Sequence, residues 1–119
     1  MLASSEPTCS VKLADFGLSE SISQVQATGG SQAGTIGYVA PEILRGEAYG
    51  TESDMWSLGC LLYMMLTVCL PFPLPKKRGS NMKINYTDLD LEIEGASPAC
   101  RNLLTRLLFE APNMRPTVE

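Results

Sequence analysis

Few residues in this 119-residue chain are of a type that could do chemistry, and they are carboxylates, hydroxyls, thiols and one late arginine. Cys9, Cys60, Cys69 and Cys100 form no Cys-x-x-Cys pair, and the chain has no histidine to complete a mixed zinc site. Such scattered thiols are expected to stay reduced and mostly buried, which fits an intracellular, cytoplasmic setting. Asp15 stands in an Asp-x-Gly sequence, where Gly17 frees the backbone to turn; the tripeptide by itself reads as a surface turn. Ser31, Thr28 and Thr35 offer hydroxyls from a polar stretch. Glu42 and Arg115 are solvated charges unless the fold brings them together and buries them.

Charge narrows the classes further. The net charge of −4 comes from interspersed acids and bases, with no basic stripe for nucleic acid and no long acidic tail. The first residues, Met1-Leu2-Ala3-Ser4-Ser5, show neither the basic nor the apolar region of a signal peptide. From Met55 to Pro75 the chain is uncharged, and Lys76-Lys77-Arg78 follows, which raises the question of a membrane span. Pro71, Pro73 and Pro75 stop that helix after roughly 17 residues, the lower limit for crossing a bilayer. A core helix surrounded by protein explains the same run, so no membrane contact is expected.

The positioning elements are expected to be mainly helical. Ser10-Val11-Lys12-Leu13-Ala14 alternates apolar and polar residues and predicts a short strand delivering Asp15. Ser19 to Gly34 is rich in Ser, Gln, Gly and Thr and predicts a mobile loop. Pro41 to Arg45 predicts a short helix closed by Gly46. Thr51 and Asp54 have capping-box spacing, which predicts a helix from Ser53 to Leu70 ended by Pro71. Pro73 to Asn81 predicts a loop, and Lys83 to Glu94 follows no regular period. Ser97-Pro98 opens a last helix that places Leu103, Leu104, Leu107 and Leu108 on one face and ends before Pro112.

Four segments then fall in a telling order. Asp15-Phe16-Gly17 is followed by Gly34-Thr35-Ile36-Gly37-Tyr38-Val39-Ala40-Pro41-Glu42, by Asp54-Met55-Trp56-Ser57-Leu58-Gly59 with Pro71-Phe72, and by Pro112-Asn113-Met114-Arg115-Pro116-Thr117. Together they resemble the eukaryotic serine/threonine protein kinases, from the magnesium-binding motif through the C-terminal lobe. Lys12 to Ser19 and Gly37 to Glu42 are similar to the calcium/calmodulin-dependent group. The resemblance implies a partial kinase domain over 1–119: strand and Asp-Phe-Gly in 1–17, activation segment in 18–42, C-lobe helices in 43–119. Its weakest stretch is Pro73 to Gly95.

The resemblance also implies roles. Asp15 would hold Mg²⁺ against phosphate, with Phe16 packed into the lobe and Gly17 letting the backbone turn. Thr35 and Tyr38 would face the catalytic aspartate and the protein substrate, whose acceptor is serine or threonine. Ser31, with Thr28 as a competitor, sits where phosphorylation orders the segment. Glu42 and Arg115 would form a buried ion pair, Asp54 would cap its helix or accept hydrogen bonds from the catalytic loop, and Trp56 and Gly59 would pack the core. These residues include no glycine-rich loop, paired lysine, base aspartate or second metal-binding asparagine. The chain is therefore expected to be an inactive fragment, with Met1 an internal methionine. ATP and Mg²⁺ would be cofactors of a parent kinase, the missing N-terminal part its partner, and neither cofactor would bind tightly here. The alternative is a non-catalytic kinase-like binding module.

Overall fold

Two brackets in the sequence set the helices that matter most. A computed structural model describes residues 11–28, 34–74, 84–87 and 89–118. Helix α1 spans Ile22–Thr28, α2 Pro41–Arg45, α3 Glu52–Thr67 and α4 Pro98–Leu107, with a 3₁₀ turn at Pro112–Met114. In α2, Pro41 follows extended Ala40 at the first turn, and Gly46 closes the helix with a left-handed φ of 70°. In α4, the Ser97 hydroxyl accepts from the Cys100 N–H at 3.2 Å, satisfying a donor the helix start leaves open.

The long helix α3 starts and ends differently from the capping-box reading. Thr51 is itself helical (φ −61°, ψ −20°), so its hydroxyl makes no cap bond, and a backbone turn starts the helix instead, with the Asp54 N–H on the Thr51 carbonyl at 3.1 Å. The helix stops at Thr67, ahead of Pro71, because Val68 turns left-handed at φ 60° and gives its N–H to the Met64 carbonyl at 2.8 Å. A β-branched residue in that region is strained, and Thr67 helps hold the turn by donating its hydroxyl to the Tyr63 carbonyl.

Trp56, Cys60 and Tyr63 fall on one side of α3 at i, i+4, i+7 and pack with Ala40, Phe72, Ile93, Leu104 and Leu108 into the buried cluster. Trp56 stacks on Phe72 at 5.5 Å between centroids, and Tyr86 meets both rings edge-on. Gly59 lets α4 come close: a β-carbon there would lie 2.9 Å from both the Leu107 Cβ and the Leu108 Cδ2.

Other expectations are corrected. The helix α3 leaves Leu58, Leu61, Met65 and Leu66 exposed, so the described residues cover one side of it only, and the enclosure on all faces expected of a core helix would need the rest of a kinase domain. Leu103 is 43% exposed, at the margin of the apolar face of α4 rather than in the core. The Ser19 to Gly34 loop contains α1, because Ser21 caps it and Ile22 and Val25 share a face that buries Val25. Of the strand expected over Ser10 to Ala14, the described residues show a single bridge at Val11, with Val11 and Leu13 exposed. Ser10 and Pro75 to Lys83, with the basic Lys76-Lys77-Arg78, lie outside the described residues. No helix among the described residues is long and apolar enough to cross a membrane.

Candidate functional site

Among the described residues, Arg115 has its whole guanidinium partnered. Its guanidinium meets the Glu42 carboxylate face to face, Nη1 to Oε1 at 2.7 Å and Nη2 to Oε2 at 2.9 Å. Nε donates to the Phe109 carbonyl at 2.8 Å, Nη1 to that of Glu52 at 3.0 Å, and Nη2 to that of Glu110 at 3.0 Å. Every N–H of the planar fork is thereby used, and its Cζ lies 5.0 Å from the Trp56 ring centre. Ser53 adds a hydrogen bond to Glu42 Oε1 at 2.6 Å. Burial would raise the Glu42 pKa, but the hydrogen bonds from Arg115 and Ser53 outweigh it and hold the carboxyl below its ordinary value. The pair ties α2 to the first turn of α3 and to the segment after the 3₁₀ turn. A second, more exposed tie joins Arg45 to Glu110, with Arg45 over the Tyr86 ring.

The segment from Thr35 to Tyr38 is a turn, with the Tyr38 N–H on the Thr35 carbonyl at 3.0 Å. Ser57 of α3 donates to the Tyr38 carbonyl at 2.9 Å and fixes the turn to the core. Thr35 and Tyr38 then line an open cleft of about 870 Å³ with Asp15, Val25, Glu52 and Asp54. Asp15 is exposed and adopts a left-handed φ of 64°, the kind of local strain that is kept at functional positions. Asp54 sits exposed in the first turn of α3.

Phe16 is a correction: it is 68% exposed instead of packed inward. The turn that puts the Ser19 N–H on the Phe16 carbonyl carries Phe16 and Leu18 along the surface, while the buried core cluster is built from Ala40 onward. Ser31 lies outside the described residues. Among the described residues no three His, Cys, Asp or Glu side chains cluster to hold a metal. The Cys60 thiol is pushed up to about 12 by burial and is inert as a nucleophile. Sequence reading missed Ser53 and Tyr86; the Ser53-Asp54 pair at a helix start was the only hint of the first.

Comparison with known proteins gives these groups a context. The sequence matches the protein kinase domain family over residues 1–119. It is 37% identical over 111 residues to CBL-interacting serine/threonine-protein kinase 5 of Arabidopsis thaliana, covering 91% of this chain and 25% of the relative. It is 38% identical over 112 residues to the serine/threonine-protein kinase RCK2 of Saccharomyces cerevisiae, covering 92% and 18%. With the calcium/calmodulin-dependent protein kinase type II alpha chain of Drosophila melanogaster the identity is 34% over 120 residues, covering 98% and 23%. The chain thus spans a quarter or less of the length of these relatives. A family match over every residue, together with three protein kinase relatives, two of them serine/threonine kinases by name, makes this chain a member of the protein kinase domain family.

Proposed function

We propose that these residues supply the activation segment and C-lobe portion of a kinase that transfers the γ-phosphoryl of ATP to serine or threonine of a protein substrate inside the cell. The observation that carries the reading is the convergence of Asp15, Thr35 and Tyr38 on one cleft whose wall α3 holds through Ser57. Bound Mg²⁺ would neutralise charge on the phosphate oxygens. Mg²⁺ held with phosphate takes only one or two carboxylates, so a lone Asp15 fits a share in such a site and not a free-standing cation site. Asp15 offers its oxygen at the cleft edge, Thr35 and Tyr38 present the face where a substrate hydroxyl would be oriented, and the Glu42–Arg115 pair holds that face on the lobe. Phosphorylation of Ser31 would order the segment.

The isolated chain, incubated with labelled ATP, Mg²⁺ and histone, is expected to transfer no phosphate above background and to bind Mg²⁺-ATP weakly. Turnover that disappears in Asp15→Ala would mean that these 119 residues carry a complete site, contrary to this reading.

A further inference from the structure

The left-handed turn at Val68 is costly for a β-branched residue, and the Val68 side chain, 85% exposed, gives almost nothing to the core in return. What the turn does is fold the chain back after α3. The Thr67 hydroxyl closes it, donating to the Tyr63 carbonyl at 2.9 Å and accepting the Cys69 N–H at 3.2 Å. Two residues past Val68, the Leu70 side chain comes to rest on Gly37, inside the turn from Thr35 to Tyr38. A β-carbon at Gly37 would lie 2.9 Å from Leu70 Cδ1 and 3.2 Å from Cδ2, so the isopropyl group sits directly against the bare glycine. Leu70 is not part of the buried core cluster, which takes Phe72 instead.

We propose that Leu70 is a positioning residue for the cleft wall formed by Thr35 and Tyr38, acting through Gly37, and that the strained turn at Val68 serves to deliver it there. The wall is held at two adjacent residues by different means. At Tyr38 the hold is the hydrogen bond from Ser57 to the carbonyl, at 2.9 Å. At Gly37, with a φ of 108°, the backbone has few steric limits of its own, so only a neighbour in contact can fix it. Leu70 is that neighbour. Truncating it would open a gap beneath the glycine and let the turn sink or flip, carrying Thr35 and Tyr38 away from where they face the cleft. The contact is aliphatic against backbone, so it depends on shape and not on charge. The functional half of the proposal rests on the reading of Thr35 and Tyr38 as the substrate face; the hold itself does not.

Amide hydrogen exchange of the full 119-residue chain, resolved to single residues, tests the hold. The Tyr38 N–H, on the Thr35 carbonyl at 3.0 Å, reports the turn, and the Leu108 N–H, on the Leu104 carbonyl at 2.9 Å, reports the core. Leu70→Ala should speed exchange at Tyr38 by at least about tenfold more than at Leu108, and Leu70→Met, which keeps the volume, should stay near the parent. Leu104→Ala, a core truncation, should speed the two together. Equal acceleration at both sites in Leu70→Ala, or none, would make Leu70 ordinary packing and overturn the proposal. With this chain placed in the matching segment of the Drosophila relative, Leu70→Ala should raise KM for the protein substrate by at least about fivefold while kcat and the KM for ATP stay nearly unchanged, and Leu70→Met should restore it. A working chimera whose substrate KM ignores Leu70→Ala overturns the positioning role and leaves phosphoryl transfer standing. A folded parent chimera without phosphotransfer counts instead against the functional reading, and the exchange result then decides the hold by itself.

Discussion

Arg115→Ala should destabilise the fold by about 3–5 kcal/mol, because it strands the buried Glu42 carboxylate and leaves the carbonyls of Glu52, Phe109 and Glu110 without their donor. That is a large share of the ~5–15 kcal/mol that holds a whole domain together. Glu42→Ala should cost a similar amount by stranding the guanidinium. The double variant should lose clearly less than the sum, since each single change already removes the shared interaction. Arg115→Lys should also be destabilising, as an ammonium cannot span both carboxylate oxygens and three carbonyls at once. Urea midpoints of the four variants measure this; additive losses would mean that the two charges do not act as a pair.

The same pair sets a pH dependence. The Glu42 carboxyl is held below its ordinary value, so its stabilisation is fully present above the unfolded carboxylate value of about 4.3 and is lost as pH falls through the lower folded value. The gap between parent and Arg115→Ala should accordingly narrow in acid, where protonation relieves the stranded carboxylate.

Trp56→Ala is the second large effect, with an expected loss of about 3–5 kcal/mol. Trp56 is 1% exposed and touches Phe72, Tyr86 and the Arg115 guanidinium, so truncation opens a cavity and removes the ring under the ion pair. Trp56→Phe should recover part of the loss. As the single tryptophan, Trp56 also reports the transition, its emission moving to the red on unfolding in the parent and in every variant that retains it. Far-UV circular dichroism follows Trp56→Ala itself. A change of less than about 1 kcal/mol would show that the aromatic cluster is not the centre of the core.

Local signals in the sequence were enough for the helices with brackets of their own: Pro41 and Gly46 around α2, Ser97-Pro98 before α4, the apolar run of α3. Elements that depend on distant partners were not legible in this way. The strand before Asp15 alternates correctly, yet pairing is a property of two segments. The short helix α1 escaped because its residues are mostly polar, and only Ile22 and Val25 carry the helical spacing. Thr51 has a capping residue's chemistry but not its backbone angles. The partners Glu42 and Arg115 stand 73 positions apart, a separation no periodicity reveals. Resemblance to a family drew attention to both residues; Ser53, which completes their hydrogen bonding, came only from the structure.

The most direct measurement is phosphotransfer by a chimera in which this chain replaces the matching segment of the Drosophila calcium/calmodulin-dependent kinase. A soluble chimera with a cooperative melt should phosphorylate a protein substrate on serine or threonine, and Asp15→Ala should cut the rate by at least about a hundredfold while leaving the melt unchanged. A folded chimera without phosphotransfer, or one whose rate is indifferent to Asp15→Ala, would contradict the account and make the chain a kinase-like binding module.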